Sequence, residues 1–257
     1  MSTCSALGYI ANEPERVSCA LHELKGTLKA PDNAAGFGLA HYVDDRLLLN
    51  LRPSPVAAGT TLEDLVGPVR TSTFLSNFHG ADDGGPYKFR AWSFAMVGGG
   101  PESLRDELLR GLPDFLRRNM SGEHVSEAAF HRLLANLVEE RHPLEDANLA
   151  PRVVGTALAR LLDVFGALRV VVMVSNGRFI AGAHNGAGMS YNLREGILAC
   201  QRCAMDRHAL DSFPLRESHR RFRGVLLLGG QGTPPGFQAI PAGQALVANR
   251  KLEVTLL

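Results

Sequence analysis

Two cysteines separated by two residues, Cys200 and Cys203, have a spacing that could bind zinc or form a redox pair. His208 and His219 follow them in the chain. A zinc site needs four ligands, usually from two such pairs, and this chain has a single pair. A helix over residues 193–210 would place both thiols on one face. We therefore predict two partly buried thiols, with a metal site or a redox pair as alternatives, and we expect no metal or other cofactor.

Two glycine-rich segments, 98–100 and 229–232, have a composition found in phosphate-binding loops. Neither continues into the Gly-Lys-Ser/Thr of a P-loop, and neither has the GxGxxG spacing of a dinucleotide site. Both are therefore predicted to be turns. The basic run from Arg216 to Arg223 is predicted to be a solvated face, with a patch for an anion or a partner as the alternative. Cys19 is predicted to lie in the core.

Composition and charge are those of an ordinary globular protein. The 257 residues are 45% hydrophobic and 21% charged, and 27 basic against 26 acidic side chains give a formal net charge of +1. This balance excludes a disordered chain, a collagen-like chain and a strongly basic nucleic-acid-binding face. No apolar run reaches the ~18 residues of a membrane span, and the N-terminus lacks the features of a signal peptide. We therefore expect a cytoplasmic protein with reduced cysteines and with neither a nucleic-acid nor a membrane partner.

The first half of the chain is predicted to contain strands followed by helices. A hairpin is expected over residues 34–51, because an Asp-Asp turn separates two apolar runs. A second strand pair is expected over residues 73–78 and 92–97. Helical spacing of apolar residues then predicts one helix after Pro101 and another with Ser126 as its N-cap.

The second half is predicted to return from a helix to strands. The helix covers about residues 145–165, and Asn176-Gly177 is a strong signal for a hairpin turn after it. The predicted strands are 168–174, 179–183, 224–228, 245–249 and 252–256. Because helices stand between two groups of strands and no βαβ unit repeats, antiparallel sheets with segregated helices are favoured. No linker divides the chain, which predicts a single domain over residues 1–257.

Several segments together resemble a known enzyme family. Cys4-Ser5-Ala6-Leu7-Gly8-Tyr9 opens the chain, Gly36-Phe37-Gly38-Leu39-Ala40-His41-Tyr42 follows, and Phe94-Ala95-Met96-Val97-Gly98 lies further on. In type and order they resemble the class II glutamine amidotransferases, specifically the small stand-alone kind in the N-terminal-nucleophile (Ntn) hydrolase superfamily. Ser126-Glu127 resembles the family's Asp-Ser-Glu helix, and Ile240-Pro241-Ala242-Gly243 its closing strand region. The resemblance covers the whole chain and implies an α+β fold, a four-layer αββα sandwich of two mainly antiparallel sheets flanked by helices.

The resemblance implies a cysteine nucleophile at the first residue of the mature chain, with its own α-amine, of pKa near ~8, as the base. Cys4 occupies the nucleophile position, but Met1-Ser2-Thr3 precede it. Removal of Met1 alone leaves Ser2 first, and the nitrogen of Cys4 is then an amide without usable basicity. Removal of a short propeptide would restore the amine. Without that cleavage the mechanism lacks its base, and the other interpretation of Cys4 is a small buried apolar residue near the start of the first strand.

The oxyanion hole implied by the resemblance is incomplete. In the family, an Asn side chain and the backbone N–H of the following Gly stabilise the tetrahedral intermediate. Gly98 matches the glycine, whereas Val97 stands at the position of the Asn and offers no donor. Loss of one such donor costs on the order of 10²–10³ in rate.

The substrate-binding positions implied by the resemblance also differ from the family. His79 replaces the Arg that binds the carboxylate of glutamine, and a largely neutral imidazole lacks the planar fork of Arg. Val125 replaces the Asp that binds the ammonium group. The full set implied to line the pocket is Gly36, Phe37, Gly38, Asn77, His79 and Val125.

These changes favour a catalytically degenerate pseudo-enzyme. Such a protein would use the former glutamine pocket, or a surface beside it, to bind a protein partner or a small ligand. The alternative is an active amidohydrolase that acts on a γ-glutamyl-type substrate, with Cys4 exposed by processing. A glutaminase subunit that supplies ammonia to a synthetase ranks last, because it depends most on the glutamine contacts. The oligomeric state is left open.

Overall fold

A seven-stranded antiparallel sheet contains both the first strand of the chain and the strands predicted as a hairpin. Its members are β1 (Ala6–Ala11), β2 (Gly36–Val43), β3 (Arg46–Arg52), β4 (Thr73–His79), β9 (Met189–Glu195), β10 (Arg223–Gly229) and β11 (Gln238–Ala239). Their spatial order is β11-β9-β10-β1-β4-β2-β3. β1 therefore lies at the centre of the sheet, paired with β10 on one side and β4 on the other.

A six-stranded antiparallel sheet packs against the first. Its members are β5 (Tyr87–Phe89), β6 (Trp92–Val97), β7 (Val171–Ser175), β8 (Phe179–His184), β12 (Ala245–Asn249) and β13 (Val254–Leu256). Their spatial order is β13-β12-β8-β7-β6-β5. This arrangement is seen in a computed structural model that describes residues 5–24, 31, 34–52, 54–57, 59–80, 84–140, 142–146, 148–198, 200–204, 214–230 and 232–257, with the backbone alone for 214–216.

Helices cover the outer face of each sheet. They are α1 (Val17–His22), α2 (Leu62–Val66), α3 (Glu102–Leu109), α4 (Asp114–Arg117), α5 (Val125–Glu139), α6 (Pro151–Phe165) and α7 (Pro214–Arg221). α1 and α2 pack on the seven-stranded sheet, and α3 to α6 pack on the six-stranded sheet. None of the helices in the described part of the chain is long and apolar enough to cross a membrane.

The alternation of side chains along the strands explains the layers. On β4, Phe74 and Phe78 join the outer core under α1 and α2, whereas Leu75 points into the core between the sheets. On β7, Val172 packs toward the helices and Met173 toward the other sheet. Both faces of these strands are thus buried. The four-layer αββα sandwich that the sequence motifs implied is confirmed.

Several local predictions are also confirmed and others are wrong. The hairpin over residues 34–51 is formed by β2 and β3, with Asp44 and Asp45 both at positive φ in the turn. The pairing of residues 73–78 with 92–97 is wrong, because β4 and β6 belong to different sheets. Strand propensity located both segments, but their partners depend on the order of strands in the complete fold.

Three predicted boundaries need correction. The N-cap of α5 is His124, not Ser126, and α6 begins at Pro151 rather than near residue 145. Residues 193–210 do not form a helix in their described part. Residues as far as Glu195 belong to β9, and a short 3-10 turn covers Gln201–Cys203. The alternating burial in β9 is weak, which explains why periodicity missed it.

A buried histidine in α5 should make the stability of the fold depend on pH. His131 is 2% exposed, and its ring packs edge-on to Phe89. Its Nδ1 has no hydrogen-bond partner within the described ranges. Burial lowers the pKa of His131, and the nearby Glu127 carboxylate opposes this only in part. Below about pH 6.5 the unfolded chain therefore binds a proton that the folded chain resists.

We therefore expect the free energy of unfolding to fall as the pH decreases from about 7 toward 5, and His131→Leu to remove part of that fall. If the pKa of His131 is one unit lower in the folded than in the unfolded chain, the free energy of unfolding falls by about 1.4 kcal/mol over the acidic range. Urea unfolding at a series of pH values measures the effect. If the free energy of unfolding changes with pH in the same way for the parent and for His131→Leu, the predicted role of His131 is contradicted.

Candidate functional site

The backbone at the start of β1 is fixed from both sides. The N–H of Ser5 donates to the carbonyl oxygen of Gly229 at 3.0 Å, and the N–H of Phe78 donates to the carbonyl oxygen of Ser5 at 2.8 Å. These bonds join the residue after Cys4 to β10 and β4. Cys4, the predicted nucleophile, lies outside the described residues, so its role stays a prediction.

The end of β6 lies across the inter-sheet core from this point. Val97 is half-buried and packs against the apolar cluster that contains Ala6. A Cβ added at Gly229 would lie 2.7 Å from Cγ1 of Val171, and Val171 is the strand neighbour of Val97. The structure thus brings the position implied for the oxyanion side chain close to the start of β1. What Val97 presents there is two methyl groups.

Gly98 follows β6 in a conformation that favours glycine. Its φ is +92°, and an added Cβ would lie 2.5 Å from the carbonyl oxygen of Arg169. The backbone packing alone therefore accounts for glycine at this position. A catalytic role for its N–H stays a prediction.

Two glycines of β2 allow close packing against the neighbouring segments. A Cβ at Gly36 would lie 2.4 Å from Cε1 of His79. A Cβ at Gly38 would lie 2.1 Å from the carbonyl oxygen of Gly85 and 2.2 Å from Cδ of Pro86. Both glycines thus have a packing role, which supports the position of the His79 ring and of residues 84–86. Their implied contact with substrate stays a prediction.

We expect Gly38→Ala to destabilise the protein, because the methyl group would overlap backbone atoms that have little freedom to move. Overpacking of this kind costs about 1–3 kcal/mol. Gly99→Ala is the matched control, since an added Cβ there meets no atom within 4 Å. Urea unfolding of both variants measures the difference. Equal stabilities for the two would show that residues 84–86 do not pack against β2 as described.

Asn77 and Phe37 point to opposite layers. Phe37 is buried in the outer core, with its ring centroid 5.1 Å from that of Phe78, so the structure does not bring it to the inter-sheet face. Asn77 shares the face of Leu75 and is 1% exposed. Its Nδ2 donates to the carbonyl oxygen of Gly84 at 3.4 Å, and its Oδ1 has no partner among the residues that the structure describes. A buried acceptor without a donor is costly, which makes Asn77 available to a ligand.

The start of α5 lies beside this asparagine. A Cβ added at Gly84, whose carbonyl oxygen accepts from Asn77, would lie 2.8 Å from the Tyr87 hydroxyl and 3.4 Å from Cδ2 of His124. His124 is the N-cap of α5, and Val125 is the first helical residue. Val125 is half-buried and packs against the core under the helices. It offers no acceptor to an ammonium group.

Internal hydrogen bonds hold the segment that leads into α5. The buried Glu127 carboxylate accepts from the N–H of Ser121 at 2.8 Å, from the Ser121 hydroxyl at 3.0 Å and from the N–H of Gly122 at 2.6 Å. Ser126 Oγ and the Tyr87 hydroxyl form a hydrogen bond of 2.8 Å. These contacts hold the residues on either side of Val125 without using any group of Val125 itself.

Together these elements define a site where strands from both sheets end, which we call the strand-end site. It consists of Ser5, Gly36, Gly38, Asn77, His79, Gly84, Val97, Gly98 and Val125. His79 is half-buried, with Nδ1 3.2 Å from the carbonyl oxygen of Gly80. The resemblance named most of these residues, and their role as a ligand site stays a prediction. Ser5 and Gly84 are the members that sequence reasoning did not single out as site residues. The only signal for Gly84 was its place in a turn-rich stretch.

The Cys-x₂-Cys pair lies elsewhere, in the outer layer of the seven-stranded sheet. Cys203 is half-buried, as predicted, whereas Cys200 is 1% exposed and therefore more deeply buried than predicted. Cys200 is the N-cap of the 3-10 turn and Cys203 its last residue, so the pair does not lie on an α-helix. Cys19 is buried in the same core, as predicted, 3.6 Å from Cys203 between sulfur atoms. Burial, and after it the neighbouring Cys200 and Cys203, raise the pKa of Cys19 to about 12.

Comparisons with known proteins identify the fold. Comparison with protein-family models found no matching family, and comparison with curated proteins found no matching protein. Among solved structures, a glutamine aminotransferase class-II domain protein from Silicibacter pomeroyi is 19% identical, with 99% of this chain and 98% of that chain covered and a TM-score of 0.59. A predicted glutamine amidotransferase from Pseudomonas aeruginosa PA01 is 13% identical, with 98% and 99% covered and a TM-score of 0.59.

A larger enzyme contains the same fold. Glutamine phosphoribosylpyrophosphate amidotransferase from B. subtilis is 11% identical, and the alignment covers 99% of this chain but 49% of that chain, with a TM-score of 0.54. The fold of this chain is therefore that of class II glutamine amidotransferases, the Ntn fold. At these identities the likeness concerns the fold, and the chemistry has to be argued from the residues at the strand-end site.

Proposed function

We propose that this chain is an amidotransferase-like protein, a single domain over residues 1–257, that has lost glutamine hydrolysis and binds a small ligand or a protein partner at the strand-end site. The observation that carries the proposal is the half-buried Val97, which packs on the cluster containing Ala6 where the family has a hydrogen-bond donor. The residues at positions 79 and 125, and the three residues before Cys4, also argue against glutamine hydrolysis.

A tetrahedral intermediate receives no hydrogen bond from the side chain of Val97 and is therefore less well stabilised. When a nucleophile attacks a carboxamide, negative charge develops on the carbonyl oxygen, and preorganised donors must meet it. The N–H of Gly98 remains as one donor, whereas the methyl groups of Val97 exclude water without replacing its hydrogen bonds. The absence of one such donor costs about 2.7–4 kcal/mol of transition-state stabilisation.

The charge pattern of the pocket also fails to match free glutamine. The α-carboxylate and α-ammonium of glutamine need a cation and an anion, and the corresponding positions are His79 and Val125. The His79 ring packs on Gly36 and cannot form the bidentate contact of an Arg. Asn77 Oδ1, buried and without a partner in the described part of the chain, instead suits a ligand that donates a hydrogen bond from a neutral polar group.

The nucleophile lacks its usual base in any chain that still carries Thr3. The nitrogen of Cys4 is then part of a peptide bond, so it cannot accept the thiol proton. The alternative function is an active amidohydrolase on a γ-glutamyl-type substrate, with Cys4 exposed by processing. The apolar Val97 and Val125 favour it in one respect, because they would accept a less charged acyl group.

A Cys4-dependent assay tests the proposal. The tag-free protein is purified, its N-terminal residue is read from the intact mass, and glutamate release from glutamine and from a γ-glutamyl anilide is measured. We expect the parent and Cys4→Ala to give the same background rate with both substrates. Release from glutamine that disappears in Cys4→Ala would refute the proposal, and release from the anilide alone would establish the alternative.

A further inference from the structure

Four potential metal ligands converge in the outer layer of the seven-stranded sheet. Cys19 on α1, Cys200 and Cys203 on the 3-10 turn, and His219 on α7 each place one ligand atom within 4.8 Å of the other three. Cys19, Cys200 and His219 are at most 3% exposed, and Cys203 is half-buried. Hydrophobic packing alone does not explain why three thiols and an imidazole meet in an apolar core.

The spacing of these atoms fits a tetrahedral metal site. With Zn–S bonds of about 2.3 Å and a Zn–N bond of about 2.0–2.1 Å, tetrahedral ligand atoms lie about 3.5–3.8 Å apart. The sulfur atoms of Cys19 and Cys203 are 3.6 Å apart, a separation that fits this edge and far exceeds the ~2.05 Å of a disulfide bond. Small side-chain movements would bring the remaining pairs to the same spacing.

The turn that carries two of the cysteines has the local structure of a metal-binding loop. The N–H of Cys203 donates to the carbonyl oxygen of Cys200 at 3.2 Å, which closes the turn between the two cysteines. Ala204 follows at φ +51°, a left-handed conformation that is costly for a residue other than Gly. In this turn both sulfur atoms of the Cys-x₂-Cys pair lie within 4.8 Å of each other.

The four ligands come from segments that are far apart in sequence. α1 follows β1, the 3-10 turn follows β9, and α7 leads directly into β10. A metal held by all four would join these segments across the outer face of the sheet, and closing such long loops gives a large entropic stabilisation. Four protein ligands leave no open coordination position, which is the pattern of a structural and not a catalytic zinc site.

We propose that Cys19, Cys200, Cys203 and His219 bind one zinc ion in a structural Cys₃His site. The donor set selects zinc, because three thiolates and one imidazole in tetrahedral geometry are typical ligands for it. The site lies at the end of β1 opposite to the strand-end site, since Ala11 pairs with Gly224, only a few residues after His219. The metal therefore stabilises the sheet from which the strand-end site is built, without contacting that site.

Metal content tests the proposal directly. The tag-free protein is purified under reducing conditions without chelators, and zinc per chain is measured by elemental mass spectrometry. We expect one equivalent in the parent and a loss of at least tenfold in Cys200→Ser and His219→Ala. Cys4→Ser and His142→Gln are the matched controls and should keep the metal. Zinc that persists in Cys200→Ser and His219→Ala would overturn the proposal.

A spectroscopic experiment on the parent chain covers the case in which the ligand variants fail to fold. Zinc is replaced by Co²⁺, and tetrahedral thiolate coordination should give intense visible bands together with sulfur-to-metal charge transfer in the near ultraviolet. A folded, reduced protein that takes up neither Zn²⁺ nor Co²⁺ would overturn the proposal. So would a disulfide among these three cysteines, detected by the mass of the alkylated, unreduced chain.

Discussion

Removal of the metal from the Cys₃His site should loosen the outer layer of the seven-stranded sheet and leave the six-stranded sheet protected. Because the proposed ligands converge only in the folded chain, zinc at a free concentration a thousand times its Kd would stabilise the fold by about 4 kcal/mol. The loss of local stability should be greatest in the segments that carry the ligands, which are α1, the 3-10 turn and α7. This prediction rests on the proposed zinc site.

Hydrogen exchange with and without a chelator measures this effect. We expect faster exchange in Val17–His22 and Pro214–Arg221, and little change in β7 and β8, whose core lies under other helices. Cys4→Ser should respond to the chelator as the parent does. Equally faster hydrogen exchange in both sheets, or unchanged exchange in α1 and α7, would contradict a local structural role for the metal.

Restoring the missing polar groups of the strand-end site should produce measurable glutamine hydrolysis. In a chain cleaved so that Cys4 is the first residue, Val97→Asn returns an oxyanion donor and Val125→Asp returns an acceptor for the ammonium group. Because one oxyanion donor contributes on the order of 10²–10³ in rate, we expect the double variant to exceed the cleaved parent by about 10² or more.

The matched control for this variant is Val97→Leu combined with Val125→Asp. Leu has nearly the size of Asn but no donor, so this protein should stay at the rate of the cleaved parent. Glutamate release under saturating glutamine is the measurement. Equal rates for the Asn and Leu variants would show that Val97 does not face the reacting carbonyl group.

Local signals predicted the elements better than their partners. The β2–β3 hairpin was predictable because its strands adjoin and its turn contains Asp44 and Asp45. The sheets to which β4 and β6 belong were not predictable from the sequence, because strand pairing there depends on the whole fold. Neither strand pairs with its predicted partner. β9 was missed because a weakly amphipathic strand lacks a clear period of two.

The two sites differ in what the sequence reveals. Motif order assigned Val97, Gly98 and Val125 to one pocket, and their part in a ligand site stays a prediction. The period of two along β2 already implied that Phe37 and its neighbouring glycines face opposite layers, which is a signal that sequence reasoning did not use. Cys19 and His219 join the Cys-x₂-Cys pair only through tertiary packing, so no ligand spacing indicated a complete site.

The loss of glutamine hydrolysis is tested most directly in a chain whose first residue is shown by mass to be Cys4. Such a chain has both its nucleophile and its base, so any remaining defect belongs to Val97, His79 and Val125. We predict that its glutamate release from glutamine equals that of the uncleaved Cys4→Ala protein. Saturable release well above that background would contradict the account, and would mean that Met1-Ser2-Thr3 alone block an intact amidotransferase site.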